Sequence, residues 1–527
     1  MAGAALPKPM NVRGGAEAAA AKPPEAEEKT YGQILKSTAL VGGSSVVSIA
    51  MGIVRTKAMA ILLGPAGFGL FGLYSSIANL TQNIAGMGVN SSGVRQIAES
   101  AATSDAEQIA RTAAVLRRTS VLLGALGAAV LIVFSRQVST VTFGTSKNAA
   151  AVALLSLVVF FNLVSGGQAA LIQGLRRISD LARMGVFGAL FGTAATIPIV
   201  YVLRQRGVVP SLVAVALLLL LTSWWYSRKI RVPRRSITFA DGAGEASALL
   251  KLGIAFMASG FMTMGSAYLV RIIVVHKLGL EATGCYQSAW TLGGLYIGII
   301  LQAMGADFYP RLTASAFDNS KCNRLVNEQA QVGLLLGGPG IIATLTFAPL
   351  VITLFYSARF VAAVELLRWV SLGVMLQMIT WPMGFIILAQ GRQNCFFLVD
   401  LAWTVVHVGL ASVCVGLFGL NGAGMAFFGS YCFHLLLLYP IVRHLTGFRW
   451  SRENRRLGLM AMLSVLVVFV GCSTLPLGLA TGLGTVTLIA SGIWSVRALV
   501  TLIPPEQLPV PVQSIVGRLR TFTAHER

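Results

Sequence analysis

Residues 51–72 read MGIVRTKAMAILLGPAGFGLFG, and residues 266–287 read SAYLVRIIVVHKLGLEATGCYQ. At one fixed offset Leu63, Gly64, Gly69 and Phe71 of the first stretch return as Leu278, Gly279, Gly284 and Tyr286 of the second, and Ala85-Gly86-Met87-Gly88 is echoed by Gln302-Ala303-Met304-Gly305. Glycine-rich apolar segments resemble one another by composition, but these matches include the turns, whose positions composition does not set. The chain is therefore an internal repeat. Each copy also places a guanidinium inside its apolar run, Arg55 in the first and Arg271 in the second, one position apart on that alignment. A charge at membrane depth is costly enough that its default reading is functional.

The 527 residues are 55% hydrophobic and only 11% charged, with a mean hydropathy of +0.74, which excludes a soluble enzyme with a polar surface. The fold class expected is an all-α polytopic membrane protein. A span of about 30 Å of hydrocarbon takes roughly twenty helical residues, and about fourteen segments qualify. Six lie in residues 34–235 and six in 236–445, each set forming a bundle. Two more occupy 446–503, between a disordered cytoplasmic tail over 1–33 and another cytoplasmic tail over 504–527. An even number of spans per copy gives both copies the same orientation, so an axis along the membrane normal relates them, as in carriers whose halves rock around a site between them.

Net charge is +22, yet the basic residues fall in short clusters between apolar runs rather than along a nucleic-acid stripe. Arg176, Arg177 and Arg183, then Arg228 to Arg235, then Arg443 to Arg456 share one set of alternating loops, which puts both termini in the cytoplasm. Ser104 with Glu107 reads as a capping box opening the third span, and Val512, Ile515, Val516 and Leu519 beside Arg518 and Arg520 suit an interfacial helix or a disordered tail. The first thirty residues contain no apolar stretch of the signal-peptide kind. Six scattered cysteines read as small buried hydrophobes. No metal site or cofactor is expected. Gly67 to Gly72 spells a dinucleotide fingerprint, but without a preceding strand or a later acidic partner the match is accidental.

Arg55 and Arg271 lie about twenty residues into their spans, in the outer half of the membrane. Two dispositions are open at this level: inward to a cationic cavity, or outward to the headgroups. Lys57 lands on another face from Arg55 and suits the second. Asp400 and His407, seven residues apart, share one helix face and offer either a proton relay or a bond to a neighbouring helix. Glu365 and Arg368 are spaced to pair.

The stretch Lys36-Ser37-Thr38-Ala39-Leu40-Val41-Gly42-Gly43-Ser44-Ser45, followed by Arg55, then Leu63-Gly64-Pro65-Ala66-Gly67 and Gly93-Val94-Arg95-Gln96-Ile97-Ala98, resembles the opening of the Wzx-type O-antigen and polysaccharide flippases. Gly305-Ala306-Asp307-Phe308-Tyr309-Pro310-Arg311-Leu312 is similar to the block after their eighth span. The resemblance covers the first twelve spans. It implies the MATE-like multidrug/oligosaccharidyl-lipid/polysaccharide (MOP) exporter fold, two six-helix bundles in a V around a central cavity plus two C-terminal helices. It also implies a non-enzymatic role, in which an undecaprenyl-pyrophosphate-linked oligosaccharide is moved from the cytoplasmic to the periplasmic leaflet of a bacterial inner membrane. The implied partners are that lipid-linked glycan, membrane lipids and the polysaccharide polymerase machinery, with no nucleic acid. Arg forks two phosphate oxygens at once. Arg55 and Arg271 are therefore the leading substrate ligands, with Lys57, Arg117, Arg118 and Arg311 as further candidates, and Asp400 and His407 as a coupling pair. A peptidoglycan-precursor lipid flippase and a MATE-type cation or drug antiporter are the alternatives.

Overall fold

The computed structural model describes residues 25–102, 106–230 and 239–502. The tails, the Ser104 cap and the C-terminal amphipathic segment fall outside those bounds wholly or in large part. Among the described residues the chain is helical throughout: α1 (Glu25–Gly86), α2 (Val89–Ala102), α3 (Ala106–Val133), α4 (Ser135–Phe143), α5 (Ala149–Gly174), α6 (Ile178–Leu203), α7 (Val208–Ser227), α8 (Phe239–Ala314), α9 (Asn319–Thr346), α10 (Ala348–Phe355), α11 (Ala363–Ala389), α12 (Gln393–Phe418), α13 (Leu420–Thr446), α14 (Arg452–Thr474) and α15 (Leu477–Leu502). Among the described residues ten stretches are long and apolar enough to cross a membrane, and the bent pair α9–α10 makes an eleventh. Three of the ten are each two helices joined at a break, at Gly64, at Arg204–Gly207 and at Gly279. Taken arm by arm, these are the fourteen spans read from the sequence.

Gly64 has φ 67° and ψ −176°, and Gly279 has φ 85° and ψ −177°. That backbone region is open essentially to glycine alone, so the two residues matched by the repeat make the same break. Arg271 Nε donates 2.8 Å to Gln287 Oε1 across that break. Sixteen residues of straight helix would separate them by about 24 Å. The arms of α8 consequently fold back on each other as a hairpin.

The hairpins of α1 and α8 pack together at their tips. A side chain on Gly69 would collide with the Leu280 carbonyl, and one on Gly284 with the Pro65 carbonyl. Offset by the repeat, these are the same contact made twice, as a two-fold axis requires. Gly72 and Gln287 are also matched positions, and they touch each other, so they lie on the axis. Around α1 pack α3, α5, α6 and α7; around α8 pack α9, α11, α12 and α13; α14 and α15 lie on α9.

Three features depart from the sequence reading. α1 starts at Glu25, ahead of the expected span, because Glu, Ala and Lys are strong helix formers. The ninth span bends by 81° after Thr346, where Pro349 opens α10, although its apolar sequence reads as one continuous run. The third is that α4 and α10, with the three-residue turns Ser146–Asn148 and Ala358–Phe360, are corresponding short helices that each grip the opposite half. Thr142 and Tyr268 hydroxyls hydrogen-bond between α4 and α8, while Lys57 Nζ donates 2.7 Å to the Leu354 carbonyl and Phe68 packs on Tyr356 and Phe360.

Gly284→Ala forces its new methyl into backbone and lowers stability by about 2 kcal/mol, whereas Gly298→Ala, with nothing within 4 Å, shifts it by less than about 0.5 kcal/mol. Thermal unfolding of the two purified variants in detergent measures the contrast.

Candidate functional site

Below the joined tips the halves meet along two seams. On one, the second arm of α1 lies against the first arm of α8, where side chains on Gly88 and Gly253 would strike each other's neighbouring backbone and Gly260 abuts the Asn83 amide. On the other seam, Gly43 and Gly52 of α1 and Gly294 and Gly298 of α8 have nothing within 4 Å of a would-be side chain. Residues 43 and 45–47 are exposed around the helix. Gly298 is the repeat counterpart of Asn83, so the shut contact of Asn83 with Gly260 has no equivalent there, and the pseudo-two-fold is broken below the tips.

A cavity of about 210 Å³ sits at the shut seam, walled by Asn79, Gln82, Asn83, Asn90 and Ser91 on one side and by Met257 and Met264 on the other. Asn79, about 22 Å from the hairpin tip by helix rise, is exposed. An exposed amide at that depth faces water inside the protein, not hydrocarbon.

Met257, Met264 and Arg271 recur every seven residues, so one face of α8 carries the wall up to the guanidinium, about 10 Å above Met264. Arg271 is 6% exposed. Its Nε bonds Gln287, its Nη1 bonds the Ala267 carbonyl at 2.7 Å, and its guanidinium lies 5.7 Å from the Tyr286 ring centre. Among the described residues Nη2 has no partner and no carboxylate pairs with the group.

Arg368, 5% exposed, is the contrast. It pairs with Glu365, as its spacing predicted, and donates to the carbonyls of Cys472 at 3.2 Å and Leu345 at 3.4 Å. This arginine is a structural tie joining α9, α11 and α14. A buried charge without a counter-charge is expensive, and Arg271 lacks the counter-charge that Arg368 has in Glu365.

Arg55 does not face Arg271. It is half-buried and points at Gly192 of α6, beside Val215 of α7, inside its own half. The one-position slip between the two arginines explains the difference, since one residue turns a helix by about 100°. Lys57 is spent on the Leu354 carbonyl at the tips. Arg117 and Arg118 on α3 and Arg311 on α8 are exposed.

His407, 1% exposed, bonds Ser266 of α8 through Nδ1 at 2.9 Å and stacks on Trp403; its Nε2 is unpartnered. Asp400 is half-buried, and no hydrogen bond joins it to His407. Among the described residues no three His, Cys, Asp or Glu side chains gather as a metal site.

Sequence reasoning missed Gln287 and the amide row. Both had a signal: Gln287 is the repeat partner of Gly72, and Asn79, Gln82 and Asn83 stand at i, i+3 and i+4 in an apolar run, hence on one face.

The pattern of a family described as polysaccharide biosynthesis protein matches residues 58–365. The lipid III flippase of Escherichia coli (strain K12) is 20% identical over 415 residues, covering 77% of this chain and 97% of that protein. Among solved structures, the lipid II flippase MurJ in an inward closed conformation superposes with a TM-score of 0.65 at 13% identity, covering 88% of this chain and 99% of that one. An inward-facing multidrug resistance MATE family transporter of the MOP superfamily gives 0.61 at 17% identity, over 76% and 98%.

Arg368→Met leaves the Glu365 carboxylate and two carbonyls unpartnered and destabilises by about 3 kcal/mol, while Arg271→Gln, which discards an uncompensated buried charge, is neutral or stabilising. Thermal melts of both variants distinguish a structural from a ligand-binding arginine.

Proposed function

This chain belongs to the polysaccharide biosynthesis protein family, and from that premise we propose that it is a flippase for an undecaprenyl-pyrophosphate-linked oligosaccharide, an O-antigen or related repeat unit. The headgroup crosses from the cytoplasmic to the periplasmic leaflet of a bacterial inner membrane by alternating access. The observation that carries this reading is Arg271, a buried guanidinium bonded to the Gln287 on the axis, with no carboxylate beside it. A pyrophosphate supplies the missing charge and accepts from the free Nη2. Arg55 serves as a second cation deeper in the first half, and the exposed Arg117, Arg118 and Arg311 draw the anionic headgroup to the entrance.

Residues 34–235 and 236–445 act as the two rocking bodies, with 446–503 riding on the second and 1–33 and 504–527 as cytoplasmic tails. The hairpin tips face the periplasm, because the basic clusters lie at the opposite end. The open space beside Gly43, Gly52, Gly294 and Gly298 lets the polyprenyl chain stay in lipid while the headgroup enters. A polysaccharide polymerase takes the product on the outer side.

A peptidoglycan-precursor lipid would use the same guanidinium. A cation or drug antiporter would need a cavity carboxylate, and the described lining of the cavity contains none.

In cells lacking the chromosomal copy, Arg271→Ala abolishes surface polysaccharide and lipid-linked oligosaccharide accumulates at normal protein level. Arg55→Ala does so less completely, and Arg271→Lys rescues in part because it lacks the fork. Normal polysaccharide in both alanine variants overturns the assignment.

Coupling to a proton gradient is assigned to Asp400 and His407, since His407 is bonded to α8 five residues before Arg271. Flipping in vesicles then stops when the gradient is collapsed; unchanged flipping removes the role.

A further inference from the structure

We infer that the amides Asn79, Gln82 and Asn83 of α1 with Asn90 of α2 are a binding site for an uncharged sugar of the transported glycan, separate from the phosphate site at Arg271. The inference rests on the flippase reading and deepens it.

Four observations carry it. Asn79, Gln82, Asn83 and Gly86 stand at helical spacing on one face of α1, and past the break at Met87 and Gly88 the Asn90 amide of α2 joins them in the cavity lining. The described lining holds no Asp, Glu, Lys or Arg. Asn83 Oδ1 is buried and accepts no hydrogen bond, although its own amide is pressed against Gly260. The opposite wall is Met257 and Met264, adaptable and apolar.

A sugar ring presents the complement of each feature. Its hydroxyls donate and accept, as amides do. Its C–H face is apolar and lies against methionine. A buried acceptor left unpaired penalises any ligand without a donor for it, which makes such a site selective rather than merely adhesive. An acidic sugar, by contrast, would bring a carboxylate to a wall with no cation. The cavity's 210 Å³ is below the roughly 300–1,000 Å³ of sites for drug-sized ligands, which fits one ring rather than a chain. Arg271 stands about 10 Å above Met264 along α8, so phosphate and sugar occupy two levels of one passage.

The test uses the full chain in lipid nanodiscs and three probes: undecaprenyl pyrophosphate alone, the same lipid carrying one N-acetylglucosamine, and the same lipid carrying one glucuronic acid. Binding is followed by native mass spectrometry. The wild type is expected to hold the N-acetylglucosamine form about tenfold tighter than the bare lipid, the scale of one well-made hydrogen bond, and to show no gain for the glucuronic acid form. Gln82→Ala/Asn83→Ala is expected to erase that preference while bare-lipid affinity stays unchanged, which also shows that the variant is folded. Asn79→Ala, at an exposed position, gives a smaller loss in the same direction. Retention of the preference by the double variant, or a wild-type preference for the acidic sugar, overturns the site. A wild type that binds none of the three lipids, or an Arg271→Ala variant that binds all three unweakened, overturns the flippase reading instead.

Discussion

Reversing a helix within a single residue demands a backbone conformation that a side chain forbids. Gly64 and Gly279 meet that constraint with a conformation other residues do not tolerate. Everything central to the molecule follows from these two breaks. They turn α1 and α8 into hairpins and bring Gly69 and Gly284 close enough for backbone to touch backbone. They also set Gly72 and Gln287 on the axis where the halves join. A guanidinium one arm away from that axis then has a glutamine to hold it and no anion to neutralise it.

Repetition and divergence do different work in this chain. The matched glycines, the short helices α4 and α10, and the reciprocal tip contacts are what the two copies share, and they hold one end together. The arginines, the seams and the amide stripe are what they do not share. Gly88 and Gly253 close one seam, while the corresponding faces of α1 and α8 on the other side stand clear.

Much of this was legible in the sequence, and the parts that were not share a cause. Span number and the matched breaks are one-dimensional signals, carried by hydropathy and by glycine at a fixed offset. The pairing of Glu365 with Arg368 needed only helix spacing. The direction of Arg55 was harder, because a slip of one residue is invisible in an alignment of apolar helices yet turns a side chain through more than a quarter circle. α10 was absorbed into a longer apolar run, since hydropathy does not register a bend such as the one before Pro349, and the mixed polar sequence of α4 left it between two spans. The amides of α1 carry no charge, and charge is what stands out against an apolar background; residues that bind without it do not.

Lys57 reaches Leu354 and Thr142 meets Tyr268 at the tips. Each contact joins a short helix of one half to the hairpin of the other, so together they form a crossed pair of straps. Crossed straps resist separation redundantly: releasing one leaves the halves tethered by its counterpart. The joined end therefore separates as a single cooperative event, with both straps let go at once, and a state held by one strap alone is not a stopping point.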